Sequence, residues 1–181
     1  AGGYLSYENI ADKATVAGVE IEIRKNLFVR PVSNAAHGMN KLSLGLNGSY
    51  IYTNAKMPLA TVTTGSQLEG AAPWIVNFDL SHNFTKGERS FVNTLVLNYV
   101  SDKIYTIGTQ GYQDVMEQGV LILDFVSQAK LNKHLSLNLK ARNLLNPSYK
   151  LSRKANENGE KVILNDYKKG INISLGVSCT F

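Results

Sequence analysis

The chain has 181 residues, enough for one domain with a sizeable core, and 44% of them are hydrophobic, with a mean hydropathy of -0.13. No run approaches the ~20 consecutive apolar residues of a spanning helix, which excludes a helical membrane protein but not a barrel, whose strands alternate and average to near-neutral hydropathy. The formal charge of +5 is spread along the chain, so nucleic-acid binding is not expected, and the single cysteine, Cys179, excludes an intrachain disulfide or a cysteine-based zinc cluster.

No signal peptide follows Ala1, so a leader is expected to have been removed or the native start to lie upstream. The first clear element is Val16 to Lys25, where Val19, Ile21 and Ile23 alternate with Glu20, Glu22 and Arg24. Period two marks a strand with one apolar and one polar face. The pattern returns in Leu42 to Tyr52, with Leu42, Leu44, Leu46, Tyr50 and Tyr52 on one face and only Gly48 and Ile51 out of step. Trp74, Val76, Phe78 and Leu80 then alternate with Asn77, Asp79 and Ser81. Leu95, Leu97 and Tyr99 form a fourth strand. Leu121, Leu123 and Phe125 form a fifth, apolar on both faces apart from Asp124. Leu135, Leu137, Leu139 and Ala141 alternate with Ser136, Asn138, Lys140 and Arg142. The last twelve residues, GINISLGVSCTF, place Ile171, Ile173, Leu175, Val177, Cys179 and Phe181 on one face and end on the aromatic, as expected of a terminus held in a sheet.

Seven strands of about ten residues suit a tilted membrane-crossing segment. Their connections alternate in length. Thr85 to Arg89 and Asn132–Lys133 are short, and Asn26 to Asn40 is intermediate. Asn54 to Pro73, Ser101 to Gln118 and Asn143 to Lys169 are long, read here as loops with at most a turn over Asp114 to Gln118. Outer-membrane barrels keep short turns at the periplasmic end and long loops outside, which would run the final strand inward. Aromatics gather near strand ends. Tyr50, Tyr52, Trp74, Tyr99 and Tyr105 lie toward one side and Phe84, Phe91 and Phe181 toward the other, where amphipathic rings meet a membrane boundary.

The strand charges Glu20, Glu22, Arg24, Asp79, Lys140 and Arg142 lie on the polar face, expected to be a barrel's lumen. Glu20 and Glu22 stand about 7 Å apart by strand geometry, but no nucleophile or acid partner accompanies them. His37, His82 and His134 lack ligand spacing, and no nucleotide-binding or nucleophile-elbow motif occurs. Neither catalysis nor a cofactor or metal is expected.

Four segments resemble one family. Gly18-Val19-Glu20-Ile21-Glu22 resembles the G-V-E-x-E strand of TonB-dependent outer-membrane receptors. Leu68-Glu69-Gly70-Ala71-Ala72-Pro73 followed by Trp74 to Ser81 resembles their L-x-G-x-x-P…N-x-x-L-x-Y segment. Asn143-Leu144-Leu145-Asn146-Pro147-Ser148-Tyr149 resembles N-L-[FL]-[ND]-x-x-Y, and GINISLGVSCTF their closing strand, with Ile171 where Arg is usual.

The resemblance implies an all-β antiparallel meander of about seven to eight long strands within a large transmembrane barrel of ~22 strands. Residues 1–181 would be its C-terminal portion, without the plug. It further implies uptake of a nutrient such as an iron chelate, cobalamin or glycan across the bacterial outer membrane. Outer-membrane lipid, the barrel-assembly machinery reading Phe181, and TonB and the plug through a missing N-terminal part would be partners. Open sheet edges could pair two fragments. Two other readings fit the alternation. A complete small barrel with a structural or adhesive role would draw an eighth strand from Gly2 to Ile10. A soluble β-sandwich binding module would bury the apolar faces in one core.

Overall fold

A computed structural model describes residues 13–32, 38–56, 67–108, 111–155 and 159–180. Among these residues every regular element is a strand: β1 (Lys13–Pro31), β2 (Met39–Lys56), β3 (Trp74–Lys86), β4 (Arg89–Val100), β5 (Lys103–Thr106), β6 (Val115–Glu117), β7 (Val120–Lys130), β8 (Leu135–Arg142), β9 (Ser148–Lys154), β10 (Lys161–Lys168) and β11 (Asn172–Cys179). All pairings are antiparallel. The seven strands expected from the alternation form one sheet in the order β1-β2-β3-β4-β7-β8-β11.

The long connections are not plain loops. Ser101 to Gln118 contains β5 and β6, and Asn143 to Lys169 contains β9 and β10; Val115–Glu117 is a strand rather than a turn. These four make a second sheet in the order β10-β9-β6-β5. That order repeats β11-β8-β7-β4, because each short strand prolongs its long neighbour past a break. The pieces are too short, and too mixed in charge, to show a period in the sequence. Strands β1 and β2 run unbroken for 19 and 18 residues, well beyond the ten expected, with one bulge at Asn26/Phe28.

Substantial contacts between elements follow hydrogen-bonded neighbours alone, so among the described residues no second layer covers the main sheet to make a sandwich core. Register puts the alternating apolar residues on one continuous face. One row runs Ile23, Leu46, Phe78, Leu97 and Leu123 across five strands. Leu139 and Leu175 extend the same face. Leu175 is 73% exposed and Ile21 62%, extreme values for a face that needs an apolar surround.

The aromatics bracket that face. Tyr50 and Trp74 pack at 4.5 Å between ring centroids at one end, and Phe84 and Phe91 at 6.4 Å at the other. Phe84 lies ten positions beyond Trp74 on β3. At ~3.3 Å per residue and a tilt of ~40°, the two belts stand about 25 Å apart, the height of an outer-membrane apolar band. Phe181, assigned to the inner belt, and His37 lie outside the described residues.

Among the described residues, most of the few buried side chains belong to the far end. Thr53, Ala55, Ala72, Ile104, Tyr149 and Ser152 are shielded where residues 67–73 and the second sheet extend the wall. Leu68 N–H donates to Thr53 Oγ1 (3.1 Å) and Gly70 N–H to the Ile104 carbonyl (2.8 Å).

Candidate functional site

Period two and register together place Glu20, Glu22 and Arg24 (β1), Asp79 (β3) and Lys140 and Arg142 (β8) on the face opposite the apolar band. They do not converge on one point. Arg24 Nε donates to Glu22 Oε1, and Arg24 lies across Gly45 from Asp79 in one row. A Cβ on Gly45 would stand 2.1 Å from Asp79 Oδ1, so the glycine is what lets that carboxylate lean over β2 toward the guanidinium. Beyond Val96 the same row continues to Asp124, which accepts the backbone N–H of Asn143 (2.8 Å). Lys140 and Arg142 stand at the other side of the sheet, away from the Glu22–Arg24–Asp79 group.

One feature was not foreseen. Asn47, Asn77 and Asn98 share a row, and their amides form a relay. Asn98 Nδ2 donates to Asn77 Oδ1, Asn77 Nδ2 to Asn47 Oδ1 (3.2 Å), and Asn47 Nδ2 to Glu20 Oε1 (2.6 Å). The relay crosses four strands and ends on a carboxylate. Three asparagines at polar positions of successive strands were the available signal, but only register aligns them. Two rows lower, Ser81 Oγ meets Thr94 Oγ1 (3.1 Å).

Two hollows open on this face. A trough of about 540 Å³ is lined by Thr94, Val126, Gln128, Asn138, Lys140 and Gly176, and one of about 270 Å³ by Glu22, Arg24, Asn47, Asn77 and Asp79. Both are open; the smaller is lined mainly by polar groups, while the larger mixes them with Val92, Val126 and Leu175. The expected Glu20–Glu22 pair is split between two jobs, Glu20 taking Asn47 and Glu22 taking Arg24.

The two described histidines serve strands. His82 Nε2 contacts Asn40 Oδ1 (2.8 Å), and His134 Nδ1 contacts the Thr180 carbonyl (2.7 Å) while Thr180 N–H donates to the His134 carbonyl (2.9 Å). That double link ties the end of β11 to the start of β8. Among the described residues no three His, Cys, Asp or Glu side chains cluster as metal ligands.

A single antiparallel sheet with one apolar face bounded by aromatic belts and one polar, hydrogen-bonded face is the wall of a membrane β-barrel. Residues 1–144 match the family model of the TonB dependent receptor-like β-barrel, and the chain belongs to that family. No curated protein and no solved structure matches it. The matched stretch holds the first two resembling segments and the start of the third, and stops before the closing strand. The family is one of bacterial outer-membrane transporters, not enzymes, whose members work with TonB and a plug domain.

Proposed function

We propose that residues 1–181 form the C-terminal portion of the barrel of a TonB-dependent importer, with the polar face as its lumen and the second sheet as its outer mouth. The observation that carries this is the match between a one-sided apolar band of about 25 Å and an opposite face of charges and linked amides. Glu20, Glu22, Arg24, Asp79, Lys140 and Arg142 would line the lumen, against the plug or the passing solute. Among the described residues β1 and β11 each pair on one side only, which fits a wall continued by further strands of a larger barrel. Phe181, which follows β11 in the sequence, would be read by the assembly machinery.

The cargo would be a nutrient too large for passive diffusion, such as an iron chelate, cobalamin or a glycan. The test is uptake of labelled ferric chelate, cobalamin and oligosaccharide by cells with and without the full-length receptor, each with and without TonB. One of the three should fall in both deletions, and a receptor lacking Phe181 should show the same deficit with less protein in the outer membrane. Uptake of all three unchanged by both deletions would overturn the reading.

A further inference from the structure

The cations of the polar face are unevenly placed. Pairing passes from β4/β7 into β5/β6 without slip, with Val100 opposite Val120 and Lys103 opposite Glu117. The bend at 143–147 shifts register by two residues, an even number, so residues of β9 keep the alternation of β8. Lys154 therefore shares the polar face with Lys140 and Arg142, and Lys161 lies directly opposite Lys154. All four are exposed, and among the described residues none has a carboxylate within ion-pair distance.

Two ammonium groups directly opposite each other on the polar face make a locally positive surface, to which anions in the adjoining water are drawn. Beneath them is a hollow of about 330 Å³, lined by Asp102, Asp114, Met116, Ser152 and Arg153 as well as the two lysines. Its acids are committed to the backbone: Asp102 accepts the N–H of Gly119 (2.6 Å) and Asp114 that of Gly108 (2.7 Å). Arg153 stacks over Tyr112 at 4.9 Å. Farther down the same wall Lys140 borders the larger trough.

We infer that Lys154 and Lys161 form the outer end of an anion track that continues through Arg142 to Lys140, so that the imported solute carries carboxylate or phosphate oxygens. This rests on the polar face being the lumen. A stripe of cations on a wall of low dielectric attracts anions and orders their passage inward.

The test uses the full-length receptor taken from the outer membrane, so failure to recover it there would strike the importer reading and not this one. Pyranine, a trisulfonated dye, reports binding by fluorescence anisotropy at low salt. The wild type should bind it, and citrate or inorganic phosphate should displace it, the better competitor naming the anionic group. The K154E/K161E variant should bind at least tenfold more weakly, and K154R/K161R should bind as the wild type does. The control is K13E/K56E, an opposed lysine pair in the same outer region but on the other side of the sheet. It should stay within twofold of the wild type. Correct folding of each variant is read from heat-dependent migration in gels, with K154Q/K161Q, expected to weaken binding as well, replacing the Glu pair if that misfolds. Equal loss in both Glu pairs, no loss at Lys154 and Lys161, absence of dye binding, or displacement by neither anion would overturn the inference.

Discussion

At the scale of single residues, the polar face is held by neutral amides more than by ion pairs. Asn77 both accepts from Asn98 and donates to Asn47, so Asn77→Ala leaves two partners unsatisfied at once. Urea unfolding of the full-length receptor from lipid vesicles should show a loss of about 1–3 kcal/mol, the cost of orphaned hydrogen-bonding groups. An unchanged midpoint would mean that water replaces the relay freely. The two faces also differ in what they tolerate. Leu137 pairs with Val177 on the apolar side, while Asn138 faces the trough beside Gln128. Leu137→Arg should therefore cost about 2–4 kcal/mol in the same assay, and Asn138→Arg well under half of that. Equal losses would contradict the assignment of faces.

Among the elements, the seven long strands were legible because their apolar residues recur at every second position, and register followed from which face must be apolar. What the pattern could not show is how the long connections are built. Lys103–Thr106 and Val115–Glu117 are too short to reveal a period, and in β9 Tyr149 and Leu151 alternate with residues whose burial comes only from the neighbouring strands. The bend between β8 and β9 is built by two asparagines: Asn143 and Asn146 sit at positive φ (58° and 43°), and the Asn143 amide donates to the Gly170 carbonyl (2.7 Å) while Gly170 N–H donates to Asn146 Oδ1 (3.0 Å). Asparagine is among the few side chains that tolerate this backbone and can reach across it. Asn143→Gly should lose only the hydrogen bond, about 1 kcal/mol, whereas Asn143→Ala should lose about 2–3 kcal/mol because it adds left-handed strain. The same urea titration reads the difference, and identical losses would remove strain from the explanation.

For the whole molecule, the candidate site was legible as a face but not as a constellation. Glu20, Glu22, Arg24, Asp79, Lys140 and Arg142 were found by alternation alone, yet only topology separates the Glu22–Arg24–Asp79 group from the basic stripe on β8. The sheet order also brings the connections β1–β2, β3–β4 (Gly87–Glu88) and β7–β8 (Leu131 to His134) of the main sheet to one end. The second sheet rises from the opposite end, which gives the wall a direction. With strands of up to 19 residues against the ~10 that cross a bilayer, the sheet is taller than one apolar band.

The central claim is that one face of this sheet meets lipid and the other meets water. Nitroxide labels placed singly from Val76 to Leu80 of β3, in a full-length receptor with Cys179 replaced and reconstituted in vesicles, test it directly. Power saturation should show high oxygen and low nickel-chelate accessibility at Val76, Phe78 and Leu80, and a lower oxygen response at Asn77 and Asp79. Uniform accessibility along the five positions, or alternation of the opposite phase, would contradict the account.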